Sequence, residues 1–199
     1  MDESNRFLAE RGLHRWSDCE SLSFRTVMGM SSSFFTWIKL LLEAHTDEEA
    51  LEAYWHISNH VVVQGRLFEA AEPTAGCALE WMVDGAGNPL GVGWMLDLLV
   101  EIAYGEPDST EVALQNDDLD ERCRSVIHGY ANVLFRLAGS DEEFVVFGAL
   151  ELLTIVLPDQ EPVMDLVHAA RDRPLRQKTP YIHKRFVRFT HQFDCDPGS

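Results

Sequence analysis

Bases are scarce in this chain. Sixteen Lys and Arg face 33 Asp and Glu over 199 residues, a formal net charge of −17. So acidic a surface repels nucleic acid and anionic membrane, and it draws basic protein surfaces. Long apolar runs are missing as well. The longest, Phe144 to Leu157, covers 14 residues and holds Glu151, short of the roughly 20 helical residues that cross a bilayer. The four cysteines, Cys19, Cys77, Cys123 and Cys195, form no Cys-x-x-Cys step. A chain of this size needs no disulfide staple, so free buried thiols in a reducing cytoplasm are expected. The polar, acidic opening Met1-Asp2-Glu3-Ser4-Asn5 does not read as a secretory leader. A soluble cytoplasmic protein is the expectation.

Reaction motifs are also lacking. Ser31-Ser32-Ser33 sits in no Gly-x-Ser-x-Gly elbow. Gly87 and Gly91 belong to a loop without the Lys of a phosphate-binding turn. No catalytic residue and no cofactor is expected, and the chain is read as a non-enzyme.

What is present is helical periodicity, with strand alternation nearly absent. Helices are expected over about 2–11, 24–44, a short stretch after Thr46, 67–83, 91–104, 119–138, 141–157 and 159–170. Thr46-Asp47-Glu48-Glu49 and Ser140-Asp141-Glu142-Glu143 read as capping boxes. Pro73 falls inside its helix and should kink it. The segment 84–89 is a loop, and 105–118 is a polar connection. Residues 141–157 are apolar nearly all round and should be buried between neighbours. Hairpins at about 67–104 and 119–157 form a candidate repeat offset by near 50 residues, against roughly 40–47 for HEAT and armadillo units.

Charge divides the chain. Residues 1–170 hold 30 acids against 9 bases, whereas residues 171–199 hold 3 acids against 7 bases. The basic stretch Arg171 to Lys178 reads as a linker. Thr179-Pro180 then opens a closing helix, with Ile182, Phe186, Phe189 and Phe193 on its apolar face. Its bases answer the acidic body.

Several constellations invite chemistry and are met by simpler readings. His56 and His60 stand four apart, as two metal ligands on one helix would. Ile57 occupies the place of the Glu in a zinc-protease helix, and no third ligand is near. No metal is therefore expected. Asn116-Asp117-Asp118-Leu119-Asp120-Glu121 crowds carboxylates but lacks the central glycine of a calcium loop, so Asp117 or Asp118 is expected to cap a helix. Asp97 and Glu101 lie one turn apart beside Trp94 and suit either surface contact or a solvated face. Glu151, set among apolar neighbours, demands a partner such as Arg122, Arg124 or Arg136.

One stretch resembles a known family. Asn59, the Gln64-Gly65 step and Phe68-Glu69-Ala70-Ala71 are similar to the signature turn of bacterial HEAT-repeat-like proteins, in which an Asn, a Gln-Gly and an aromatic-x-Ala open a long helix. Trp94 to Ala103 looks like that family's second helix. Arg66 and Ala71 stand where Thr or Ser would be expected. The resemblance covers about residues 22–170. It implies an all-α, HEAT-like α-solenoid of stacked helix hairpins in one domain, 1–199, with 22–170 as the body and 171–199 as basic linker and capping helix. It also implies a curved binding surface, as in family members that are scaffolds or immunity proteins beside toxins.

Joined to the charge, this gives the expected function. The chain should be an acidic immunity or inhibitor protein that meets a basic protein partner, such as a toxin or nuclease. Neither nucleic acid nor membrane is an expected partner. Contact is expected through Asp97, Glu101, Glu106, Asp108, Asp117, Asp118, Asp120 and Glu121, with Trp94 as the apolar anchor. The alternatives are a HEAT-like scaffold and a HEAT-fold nucleic-acid enzyme; the latter would need a basic channel that this composition opposes.

Overall fold

The computed structural model describes residues 34–83, 85–158 and 160–171. The expected first helix, the start of the second and the closing basic helix lie outside these residues. Nine helices occupy most of the described chain, so the all-α expectation holds. They are α1 (Phe34–Glu43), α2 (Asp47–Val61), α3 (Ala71–Val83), α4 (Pro89–Tyr104), α5 (Ser109–Ala113), α6 (Leu119–Gly129), α7 (Ala131–Ala138), α8 (Glu143–Val156) and α9 (Glu161–Arg171).

Local chemistry sets several boundaries. Thr46 caps α2 through a reciprocal box: Oγ1 accepts from Glu49 N at 3.2 Å, and Glu49 Oε2 accepts from Thr46 N at 3.2 Å. Two backbone donors that the helix cannot satisfy are thereby paired. The box expected at Ser140 does not form. Ser140 Oγ accepts from Glu142 N instead, and the helix begins two residues later than a box would require, at Glu143.

The Gln64-Gly65 turn is a β-hairpin turn. Gln64 and Gly65 both take positive φ, 52° and 76°, the pairing that lets a two-residue loop follow the twist of its strands. The flanking residues form β1 (Val62–Val63) and β2 (Arg66–Leu67), antiparallel, with Val62 opposite Leu67. A third short strand, β3 (Glu106–Pro107), adds parallel to β2. The helix expected from residue 67 therefore starts at Ala71. Pro73 consequently lies in its first turn, where no intrahelical donor is lost, and does not interrupt it.

The expected helix 119–138 is two. It breaks at Tyr130, whose hydroxyl donates to Glu80 Oε2 at 2.9 Å. Two further ties hold this pair along α3. Arg122 Nε donates to Glu72 Oε2 at 3.0 Å, and Arg136 donates to the Met82 carbonyl.

The core gathers on α4 and α8. Helix α4 packs on α1, α2, α6 and α8, and α8 also packs on α6, α7 and α9. Every residue from Phe144 to Leu153 is buried, as the all-round apolar pattern requires. Each fully buried Leu or Ile there contributes about 2 kcal/mol. Close approach of α4 to α1 depends on Gly91, where a Cβ would stand 2.0 Å from the Leu41 carbonyl oxygen.

Cys123 is a free buried thiol, and burial pushes its pKa far up, leaving it inert. Cys77 is disulfide-bonded, which corrects the expectation of a free thiol there. No helix among the described residues is long and apolar enough to cross a membrane.

Candidate functional site

The expected contact set does not form one surface. Trp94 and Asp97 are only 7% and 8% exposed. Trp94 is edge-on to Tyr54 at 5.4 Å and to Phe144 at 6.2 Å. It joins α2, α4 and α8 and presents no anchor to a partner. The cause is that α4 is covered by neighbours on nearly every side, so its polar positions do not mark an outer face.

Four of the other carboxylates are engaged within the chain. Glu106 accepts from Arg66 Nη1 at 2.8 Å, Asp118 pairs with Arg122, and Asp120 pairs with Arg124. Asp108 Oδ1 accepts from both the backbone N and Oγ1 of Thr110 at 2.8 Å, capping α5. The Thr110 backbone bond, followed by its hydroxyl, holds the Asp108 carboxyl below its ordinary range. Asp118 occupies the capping position of α6 without making a side-chain cap, its carboxylate being turned to Arg122. Asp117 and Glu121 are exposed, and Glu101 is half-buried beside the hairpin turn.

Glu151 is buried, and the three arginines expected near it are engaged with other groups. Arg122 is held by Glu72 and Asp118, Arg124 by Asp120 and the Ala103 carbonyl, and Arg136 by the Met82 carbonyl. His56 stacks flat on Trp37, ring centroids 3.8 Å apart at 9°. Burial, then the charge of His56, holds His60 below the ordinary imidazole range. Among the described residues, no group of three His, Cys, Asp or Glu is placed to hold a metal.

Two concavities are formed among the described residues. The larger, about 970 Å³, lies where α1 and α2 meet the start of α4. Trp37 and Leu40 line it beside Glu43, Glu49, Glu52 and His45. Its far wall is fixed by Asn88. That residue caps α4 by accepting from Leu90 N at 3.0 Å, donates from its backbone N to the Leu42 carbonyl at 2.7 Å, and donates through Nδ2 to His45 Nδ1 at 2.8 Å. Large apolar side chains and carboxylates thus share one opening. Trp37 belongs by spacing to the apolar face of its helix, and Glu49 is a capping residue. Their meeting depends on the α1–α2 crossing, which periodicity does not report.

The smaller cleft, about 580 Å³, lies between the C-terminal half of α2, the hairpin turn and the end of α4. Asn59, Gln64 and Gly65 line it together with Glu101. The turn that carries the sequence resemblance therefore sits at a cleft, and Glu101 is the one member of the expected contact set that lines it.

Comparison of the chain with protein-family models, with curated proteins and with solved structures finds no match.

Proposed function

We propose that this chain is a non-catalytic protein-binding module that captures a basic protein, its use being neutralisation of a cationic toxin such as a nuclease. The observation that carries the reading is the larger groove. Trp37 and Leu40 offer apolar area, and Glu43, Glu49 and Glu52 surround it. An apolar centre with a polar rim is the anatomy of a protein interface. The carboxylates would steer a basic partner and fix its register.

The accounting of cations supports the same reading. The described residues before Arg171 include five bases: Lys39, Arg66, Arg122, Arg124 and Arg136. The four arginines are spent on internal contacts. Glu43, Asp47, Glu48 and Glu52 are exposed on α1 and α2. A nucleic-acid enzyme would need the opposite potential.

We further propose that the helices stack as a HEAT-like solenoid. In its favour, α1 lies against α4 and α4 against α8, while α3 lies beside α6, the order that successive stacked hairpins produce. A scaffold would use the same groove with a different partner.

The test is capture from host extract at low and high salt, comparing the native chain with Glu43→Lys/Glu52→Lys. Glu49 is left intact because it caps α2. A basic protein should be retained at low salt, released at high salt, and held about tenfold more weakly by the variant. Capture indifferent to both salt and charge reversal rejects the proposal.

A further inference from the structure

The smaller cleft carries a chemistry more specific than acidity. Two large aromatic side chains stand at it half in solvent, Trp55 at 54% and Tyr104 at 50% exposure. Exposed aromatic faces attract cations through the ring quadrupole, Trp most strongly. Glu101 lines the same space, as do Asn59 and Gln64. Ser58 also lines it, only 3% exposed, and its hydroxyl makes no hydrogen bond. Folded proteins rarely leave a buried hydroxyl unsatisfied, and a ligand donor is one way such an atom is completed.

The walls are held in place before any ligand arrives. Gly65 O accepts from Glu106 N at 3.0 Å, and Leu67 O accepts from Asp108 N at 3.0 Å, tying the hairpin to the segment after α4. Tyr54 meets Trp55 edge-on at 5.8 Å and Trp94 at 5.4 Å. The aromatic side is therefore braced from the core.

We propose that this cleft receives the guanidinium of an arginine side chain on the partner, an inference that rests on the basic-partner reading above. Three features select arginine over lysine. A planar cation stacks on an indole or phenol face, its forked donors match a carboxylate, and its remaining N–H groups suit the Ser58 hydroxyl and the amide oxygens of Asn59 and Gln64. An ammonium is a compact, strongly hydrated point charge and satisfies fewer of these acceptors at once.

The experiment titrates N-acetyl-arginine amide, N-acetyl-lysine amide and N-acetyl-citrulline amide into the full chain. Binding is followed at the indole N–H resonance of Trp55, assigned with Trp55→Phe. Arginine amide should shift that resonance saturably and lysine amide more weakly. Citrulline amide, which has the shape without the charge, should leave it in place. Glu101→Gln should weaken arginine amide at least fivefold, and Trp55→Ala should abolish its effect on the remaining cleft resonances, with circular dichroism unchanged in both. Equal binding of citrulline amide, or arginine binding indifferent to Glu101→Gln, overturns the assignment. Salt-sensitive capture of a basic protein that Trp55→Ala leaves intact overturns the cleft while the wider reading stands. Arginine amide binding without capture of any basic protein overturns the wider reading and supports the cleft chemistry.

Discussion

Arg66 and Glu106 face each other across the parallel strands β2 and β3, forty residues apart in sequence, with Nη1 2.8 Å from Oε2. Both side chains are mostly in water, 53% and 72% exposed. The pair closes the small sheet on which the hairpin turn is mounted, and it removes Glu106 from the carboxylates open to a partner. Exposed ion pairs contribute only about 0.2–1 kcal/mol. Glu106→Gln should therefore lower the unfolding free energy by no more than about 1 kcal/mol in a urea titration. A larger loss would mean that the pair does more than close a strand edge.

Gly91 and Gly65 should respond oppositely in kind to alanine. At Gly91 the added methyl meets the Leu41 and Leu42 carbonyl oxygens, at 2.0 and 2.7 Å, and backbone cannot swing aside. Gly91→Ala should cost at least about 2 kcal/mol by forcing α4 off α1. At Gly65 nothing lies within 4 Å, and only the positive φ of 76° resists. Gly65→Ala should cost about 1 kcal/mol and leave the core packing unchanged. Thermal melts with near-ultraviolet circular dichroism distinguish the two.

The Thr46 box makes α2 sensitive to acid. The backbone N–H of His45 first, then that of Thr46, holds the Glu49 carboxyl below its ordinary 4.5. A carboxylate whose folded pKa is depressed contributes stability above its unfolded pKa, lost as pH falls through the folded one. Thr46→Ala should cost about 1 kcal/mol at neutral pH. Glu49→Gln should flatten the stability profile below pH 4.5, measured by urea midpoints across pH. A profile identical to that of the native chain would refute the box as an acid-sensitive element.

His60 works in the opposite sense. Burial, then the neighbouring His56, depresses its pKa below 6.5. The unfolded chain then binds the proton more readily than the folded one, so stability should decline as pH drops below 6.5 and stay level above it. His60→Gln should remove that decline between pH 6.5 and the depressed folded value. Proton resonances of the His60 ring across pH, together with melts of the two proteins, check the direction.

Much of the architecture was legible in the residues. The capping box at Thr46, the turn at Gln64-Gly65, and the buried helix after Ser140 each follow from chemistry within a few residues. The candidate sites were less legible. Asp97 and Glu101, one turn apart beside Trp94, suit a surface contact or a solvated face, yet Trp94 and Asp97 are buried because α4 is covered by α1, α2 and α8. Asp118 and Asp120 read as open acids, yet Arg122 and Arg124 lie one turn on and take them. That second point was visible in the spacing and marks where counting charge misleads: an acid with a base four residues later on a helix is partly neutralised.

By itself the sequence determined a strongly acidic, mainly helical chain, the cap of α2 and the turn at Gln64-Gly65, because caps, periodicity and turn residues act over one or two turns. Tertiary structure alone decided which carboxylates stay open, that the 119–138 segment breaks at Tyr130, and that Trp37 shares a groove with Glu43 and Glu52 while Trp55 shares a cleft with Glu101 and Tyr104. Those outcomes depend on helices distant in sequence approaching to within a side chain's length. Gly91 permits one such approach, and Glu72, Glu80 and Met82 direct another.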